Sequence, residues 1–498
     1  MGPGALPVAA ALLAAVASAQ RLERPSQFIL FSVPFSGSCA NVSATMWEGM
    51  LLDLQAAVTN DTAAASSPSS PGKPPLKPRY CGAGDDRHPC VGFGAHVLLN
   101  VLNCPPATLA NQTQGLLDAA VATGVAVFLG LDAQVWWQDR PELWNFFDAA
   151  LPGYDAANRA NVEWTNWSAA SALRLGWLNW GRQMRMSPPQ NVHAPAVVAA
   201  TRRGLAAVGR VVAQWWGYGD DDDHHSPLFH RTLLAGIKVG CEAGIGWQVW
   251  AYPGANALLR AHPRNASFDP TYGPNHSAPA DPPAWGLAQV GFAAATAAGL
   301  PAAAVAAAAA GAAGAAGAAG AAGAGAPAPP LTNADVQQLT TWYLANMTEV
   351  VLAAGVPPTV LMTHYGGTLV LRAGGTPTMA FAGGELPGIA LGVSLYATPL
   401  DEVPSFVTPP PSRQPGGGGG GVAPSDRAEG WGAVEFGLGG MWSPGPGVKV
   451  GSEAAWLAAM NRTLGLGTCK LVSQVPASAE AIGAARALLF CAADDDDC

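Results

Sequence analysis

The stretch Leu233-Leu234-Ala235-Gly236-Ile237-Lys238-Val239-Gly240-Cys241-Glu242 is short, largely apolar on both faces, and stops at a carboxylate. A strand of this kind belongs in a parallel sheet covered by helices, because only there are both faces shielded from water. Seven other runs share the character, at 28–33, 96–102, 125–131, 359–363, 389–396, 432–436 and 469–475. Helical patterns fill several of the gaps, at 46–58, 116–122, 196–216, 283–298, 333–354, 453–464 and 477–489. The clearest is 333–354. Thr332 or Asn333 caps it, Val336, Leu339, Trp342, Tyr343, Met347, Val350 and Val351 form its apolar stripe, and Gly355 and Pro357 stop it. Eight strand and helix alternations predict an α/β fold, specifically a (β/α)8 TIM barrel. A doubly wound open sheet is the competing topology, but no Gly-x-Gly-x-x-Gly follows the first strand.

The 498 residues then divide into a leader, 1–19, and one barrel domain, 20–498, interrupted by low-complexity loops at about 63–78, 300–330 and 408–426. Residues 5–19 are an Ala/Leu/Val stretch closing in Ala17-Ser18-Ala19 before Gln20, the pattern of a cleaved signal peptide. Eight Asn-x-Ser/Thr acceptors, at Asn41, Asn60, Asn111, Asn166, Asn265, Asn275, Asn346 and Asn461, fit a secreted glycoprotein bound for the medium, a wall or a vacuole. The uncharged Ala/Gly run from 302 is read as a loop rather than a membrane span, since Ala and Gly bury little area and repeated glycines weaken a helix.

An oxidising compartment lets the eight cysteines form disulfides. Cys81 and Cys90 bracket a short Gly/Asp loop, and Cys491 and Cys498 are placed to clip the tail; Cys39, Cys104 and Cys469 receive no partner. Cys241, inside an apolar run, is expected to be a free buried thiol. No Cys-x-x-Cys or His-x-x-x-His spacing suggests zinc, and no metal or cofactor is expected. The runs Asp220–Asp223, beside His224 and His225, and Asp494–Asp497 read as solvated loops.

A net charge of −9 argues against nucleic acid, whose binding draws most of its strength from basic side chains. The charged share of 12% excludes a charged disordered tail or a coiled coil. Trp is more frequent (17) than Phe (14) or Tyr (8), and flat indole faces suit amphipathic ligands such as sugars. A carbohydrate is thus the expected partner; the oligomeric state is left open.

Barrel enzymes carry their chemistry at the carboxyl ends of the strands. The fourth strand runs into Glu242, and the seventh, Gly432-Ala433-Val434-Glu435-Phe436-Gly437, into Glu435. Strands four and seven lie across the mouth from one another, so two carboxylates meet there. That is what glycosidic cleavage needs: one acid to protonate the leaving oxygen, and one ionised group to attack the sugar. The bland alternative has each glutamate paired with an arginine at the rim. The third strand leads into Asp132, Gln134, Trp136 and Trp137, and then into Asn161, Glu163 and Trp164, a mixture of hydroxyl-binding side chains and indoles expected to line sugar subsites. Packing of the loop against helices competes for each indole. Asn166 is an acceptor within this stretch, and a glycan there would obstruct a cleft. Trp250 and Tyr252 are candidates for the cleft wall, and His364, ending the fifth strand, for a hydrogen bond to a carboxylate or a sugar.

The stretch from Gly130 to Trp180, with Gly-Leu-Asp-Ala-Gln-Val-Trp-Trp, Arg-Pro-Glu-Leu-Trp-Asn, Pro-Gly-Tyr-Asp and Asn-Val-Glu-Trp-Thr-Asn-Trp, resembles a family of largely uncharacterised secreted proteins. These look like distant members of the (β/α)8 glycoside hydrolases that carry catalytic glutamates after strands four and seven. The resemblance continues more weakly through 236–240 to Val434-Glu435 and covers about two thirds of the mature chain. It implies a retaining mechanism, with Glu242 as acid/base and Glu435 as nucleophile. It also marks a departure, since that clan usually has Asn before the acid/base and here Cys241 stands there. A thiol is a weak donor to the sugar 2-hydroxyl. Either another residue such as Asn161 takes that task, or activity is reduced or lost. The alternatives are a non-catalytic carbohydrate-binding protein of the same fold and a structural wall glycoprotein.

Overall fold

The structure, a computed structural model, describes residues 27–33, 39–40, 42–59, 91–132, 137–174, 176–179, 183–217, 231, 233–241, 246–248, 288–301, 330–367, 389–395, 433–436, 452–465, 470–473 and 479–489. The leader, the loops at 63–78 and 408–426, nearly all of 300–330, the two aspartate runs and Cys81, Cys90, Cys469, Cys491 and Cys498 lie outside them.

The fold is mixed α/β. Parallel strand β1 (Gln27–Ser32) has β2 (Val91–Asn100) on one side, and β2 is followed by β3 (Ala126–Asp132). Two short antiparallel pairs stand apart from this sheet: β4 (Gly176–Asn179) with β5 (Gln183–Met186), and β7 (Gly246–Gln248) with β8 (Ala288–Val290). The parallel series continues from β3 to β6 (Leu234–Cys241), β9 (Leu361–Gly367), β10 (Ala390–Leu395), β11 (Ala433–Phe436) and β12 (Lys470–Ser473), and β12 pairs back onto β1 to close the sheet. These eight strands fall at the eight places where apolar runs were noted. The two hairpins were not expected.

Parallel neighbours need crossover connections, and helices supply them among the described residues. They are α1 (Ala44–Thr59), α2 (Pro106–Thr123), α3 (Pro141–Trp144), α4 (Pro195–Gly217), α5 (Phe292–Ala298), α6 (Asn333–Ala353), α7 (Glu453–Gly465) and α8 (Ala479–Leu489). Around the sheet α7, α8, α1, α2, α4 and α6 pack in that order. α4 comes so near the end of β2 that a Cβ on Gly204 would lie 2.0 Å from the Val101 carbonyl oxygen. α6 starts at a reciprocal cap: the Thr332 hydroxyl accepts the Asp335 N–H, and the Asp335 carboxylate accepts the Thr332 N–H.

Apolar side chains separate by strand alternation into two cores. Outward residues such as Ile29, Phe31, Ala95, Val97, Val127, Leu129, Ile237 and Val239 pack against the helices. Inward residues Phe28, Leu30, Ala126, Phe128, Ala235 and Met362 fill the interior of the ring. Each large side chain buried this way contributes about 1.5–3 kcal/mol.

Three boundaries differ most from expectation. β2 begins at Val91 rather than 96 because Gly92 and Gly94, poor strand formers alone, leave room for neighbours: a Cβ on Gly92 would meet the Phe28 ring at 3.0 Å, and one on Gly94 the Ala126 carbonyl oxygen at 2.3 Å. α2 begins ten residues early, at Pro106, where the missing N–H costs nothing. The expected helix 283–298 is instead a strand, β8, then α5, divided by Gly291 at φ 115°. Cys39 and Cys104, left unassigned by spacing, form a disulfide joining the segment after β1 to the turn after β2.

Candidate functional site

All eight barrel strands run the same way, so their carboxyl ends share one face. Above the apolar floor of Phe28, Leu30, Phe128 and Met362, the inward positions turn polar. Ser32 continues the Phe28 and Leu30 alternation on β1, and it pairs in register with His96 on β2. The Ser32 hydroxyl and His96 Nδ1 are 3.1 Å apart, and the His96 ring lies against Phe128 at 5.5 Å between centroids. Its Nε2 sits over Gly130, where a Cβ would be 2.8 Å away. On the far side of Gly130, in register with it, is Lys238 of β6; Lys238 also pairs with the inward-facing Met362 of β9. One row higher, Asn100, Asp132 and Cys241 are aligned across β2, β3 and β6. His96, Asn100, Asp132 and Lys238 are all buried, while Ser32 and Leu98 retain partial exposure. The ring thus carries a hydrophobic base and a charged, hydrogen-bonding upper level toward its carboxyl face.

Irregular turns brace this face. The Asn100 side-chain oxygen accepts the Asn103 N–H at 3.0 Å. The Asn103 amide both donates to Asp139 Oδ2 at 2.8 Å and accepts the Asp139 N–H at 2.9 Å. With the Cys39–Cys104 bond, the segments that follow β1, β2 and β3 are held together.

The expected site residues fall into three groups. Glu242, Gln134, Trp136, Trp250 and Tyr252 lie outside the described residues. Glu435 lies within β11, paired with Ser394 and Val472, and His364 within β9, paired with Gly392. Asp132 closes β3 with no exposed surface.

The remaining four sit in the long excursion after β3, where the structure commits them to packing. Trp137, expected to offer an indole to sugar, is buried, and its N–H donates to the Pro188 carbonyl at 2.8 Å. Asn161, expected to reach a hydroxyl, donates to the Leu143 carbonyl at 2.8 Å and to Asn158 Oδ1 at 3.2 Å. The half-buried Trp164 donates to the Arg159 carbonyl at 3.0 Å. Glu163 has no exposed surface, and its Oε2 accepts the N–H of Gly291, just ahead of α5, at 2.8 Å. Burial pushes its carboxyl up to about 8, against the opposing pull of the amides of Gly291, Trp164, Ala293 and Ala294. A loop this long must satisfy its own polar groups away from water, and these side chains do so.

Ser32, His96, Asn100 and Lys238 were missed at the sequence level. The available signal was Lys238 itself, a cation inside an otherwise apolar strand. Among the described residues no three His, Cys, Asp or Glu side chains group as a metal site, and no helix is long and apolar enough to cross a membrane. A depression of about 230 Å³ outside the ring is lined by Cys104, Pro105, Pro106, Arg140, Ala200 and Arg203. Comparisons with protein-family models, with curated proteins and with solved structures return no match.

Proposed function

We propose that the chain is a (β/α)8 TIM barrel and a secreted retaining glycoside hydrolase, with Glu242 as acid/base and Glu435 as nucleophile. The observation that carries this reading is strand order. β6, whose last residue directly precedes Glu242, and β11, which contains Glu435, stand three places apart in a closed ring of eight parallel strands. Position 435 pairs in register with Val472, and Val472 with Leu30, whose own side chain lies in the interior of the ring. The upper level of the ring supports the reading by its polarity: Asp132 and Asn100 share the row of Cys241 and bring hydrogen-bonding groups beside a position where a thiol binds hydroxyls poorly.

In the double displacement, Glu242 donates a proton to the glycosidic oxygen as that bond breaks, and Glu435 attacks the anomeric carbon to form an ester. Water, deprotonated by Glu242, then attacks the same carbon, releasing sugar and restoring both carboxyl groups. The two carboxyl groups stand about 5–5.5 Å apart for this course; a gap of about 6.5–9.5 Å goes with inversion. The test is incubation with a panel of aryl glycosides and polysaccharides, then trapping with 2-fluoro sugars and peptide mapping. Label on Glu435, and turnover lower by several decades in Glu435→Gln, is the expected result. Unchanged turnover in that variant, or label on another residue, overturns the assignment.

A further inference from the structure

We infer that Glu163 is a positioning residue: its carboxyl caps α5 from the excursion after β3 and thereby fixes the segment that carries Glu242. α5 starts at Gly291, a residue at φ 115° with no side chain of its own to satisfy the first amides of the helix. The acceptor comes instead from 128 positions away, where Glu163 Oε2 takes the Gly291 N–H at 2.8 Å. The amides of Ala293 and Ala294 bear on the same carboxyl. Glu163 is itself held from two sides, since its N–H donates to the Pro189 carbonyl at 2.8 Å and its carbonyl accepts the Leu173 N–H at 2.9 Å. A second contact runs parallel to the first: Trp167, further along the excursion, meets the ring of Phe292 edge-on, with centroids 5.1 Å apart.

The clamp reaches Glu242 through one hairpin. Val290, which precedes Gly291, pairs with Gly246 of β7, as Gln289 does with Trp247 and Ala288 with Gln248. At its other end the same stretch leaves β6 at Cys241, which is in register with Asp132 at the close of β3. Positions 242–245 thus run between two anchored ends, Cys241 on the barrel and Gly246 on a hairpin whose far strand leads into the capped helix. The excursion that carries Glu163 starts from β3, so cap, hairpin and the β3–β6 pairing close a circuit around position 242. Removing the cap leaves a buried N–H without its acceptor. The hairpin is the element that responds, because two strands alone are marginally stable. A role in placing the proton donor rests on the glycosidase reading; the fastening of 242–248 does not.

The test is made on the full chain with Glu163→Leu, which removes the acceptor, Glu163→Gln, which retains a carbonyl oxygen for Gly291, and Trp167→Leu, which weakens the parallel contact. Hydrogen exchange is read by mass spectrometry on peptides covering 242–248 and 288–294. Both leucine variants are expected to exchange there about tenfold faster than wild type, the equivalent of one hydrogen bond, and Glu163→Gln to stay near wild type. In active protein, kcat/KM for a phenyl glycoside, whose leaving oxygen needs the proton, falls about tenfold in the leucine variants, while that for a dinitrophenyl glycoside, which leaves without one, holds. A purely structural loss lowers both alike. Unmoved exchange at 242–248 in the leucine variants, equal losses for the two glycosides, or a glutamine variant as impaired as Glu163→Leu overturns the inference. If Glu163→Leu does not fold, Trp167→Leu carries the same outcomes. Wild-type protein that cleaves no glycoside while the exchange pattern holds overturns the glycosidase reading alone.

Discussion

Replacing Glu163 by Gln gives the most quantitative check of how the excursion after β3 is held. The carboxyl of Glu163 is fully buried, with Oε2 on the Gly291 N–H at 2.8 Å and Oε1 without a hydrogen-bond partner among the described residues. It keeps its proton up to about pH 8, whereas in the unfolded chain it ionises near 4.5. Between those two values the unfolded state releases a proton that the folded state retains, so stability falls as pH rises and levels off above 8. At about 1.4 kcal/mol per pH unit, the gap amounts to at most about 5 kcal/mol, because relaxation around the charge reduces it. A glutamine has nearly the same shape and does not titrate; its extra N–H costs about 1 kcal/mol if unsatisfied. Urea unfolding of both proteins from pH 4 to 9 is the assay. The variant is expected to be equal to or slightly less stable than wild type near pH 4, and more stable by several kcal/mol above pH 8. Parallel stability curves would refute the argument, since every other titrating group cancels in the difference.

Two further outcomes follow from the packing. Replacing Cys39 and Cys104 by Ser opens a loop with a sequence separation of 65, and loop entropy puts the loss at about 4 kcal/mol; unchanged urea midpoints under reducing and oxidising conditions would contradict it. Gly204→Ala forces a methyl against the Val101 carbonyl and is expected to lower stability by about 1–3 kcal/mol, although alanine favours a helix in isolation; a stabilised variant in thermal melts would count against the close approach of α4 to β2.

Much of the fold was legible because strands buried on both faces leave an apolar signature that survives without context. The run 233–242 became β6, and 432–436 became β11, nearly as expected. β2 was harder. Gly92 and Gly94 carry no hydrophobic signal, and their place in a strand depends on Phe28, Leu30 and Ala126 being beside them. The excursion is ambiguous for a related reason. Trp137, Asn161, Glu163 and Trp164 have the chemistry of a sugar subsite, but the same donors and acceptors serve a loop that must satisfy its carbonyls internally, and composition does not distinguish the two uses.

Local order in the chain determined the alternation of strands and helices, the cap at Thr332 and the α/β class, because each depends on neighbours within a few residues. Closure of the ring, the Cys39–Cys104 bond, the burial of Glu163 against Gly291 and the placing of Ser32, His96, Lys238, Asn100 and Asp132 on successive inner rows of neighbouring strands were decided by tertiary structure. Those features join residues tens to hundreds of positions apart. Which side of a strand faces inward depends on register and on the irregular register steps within β6, and these exist only once neighbouring strands have paired.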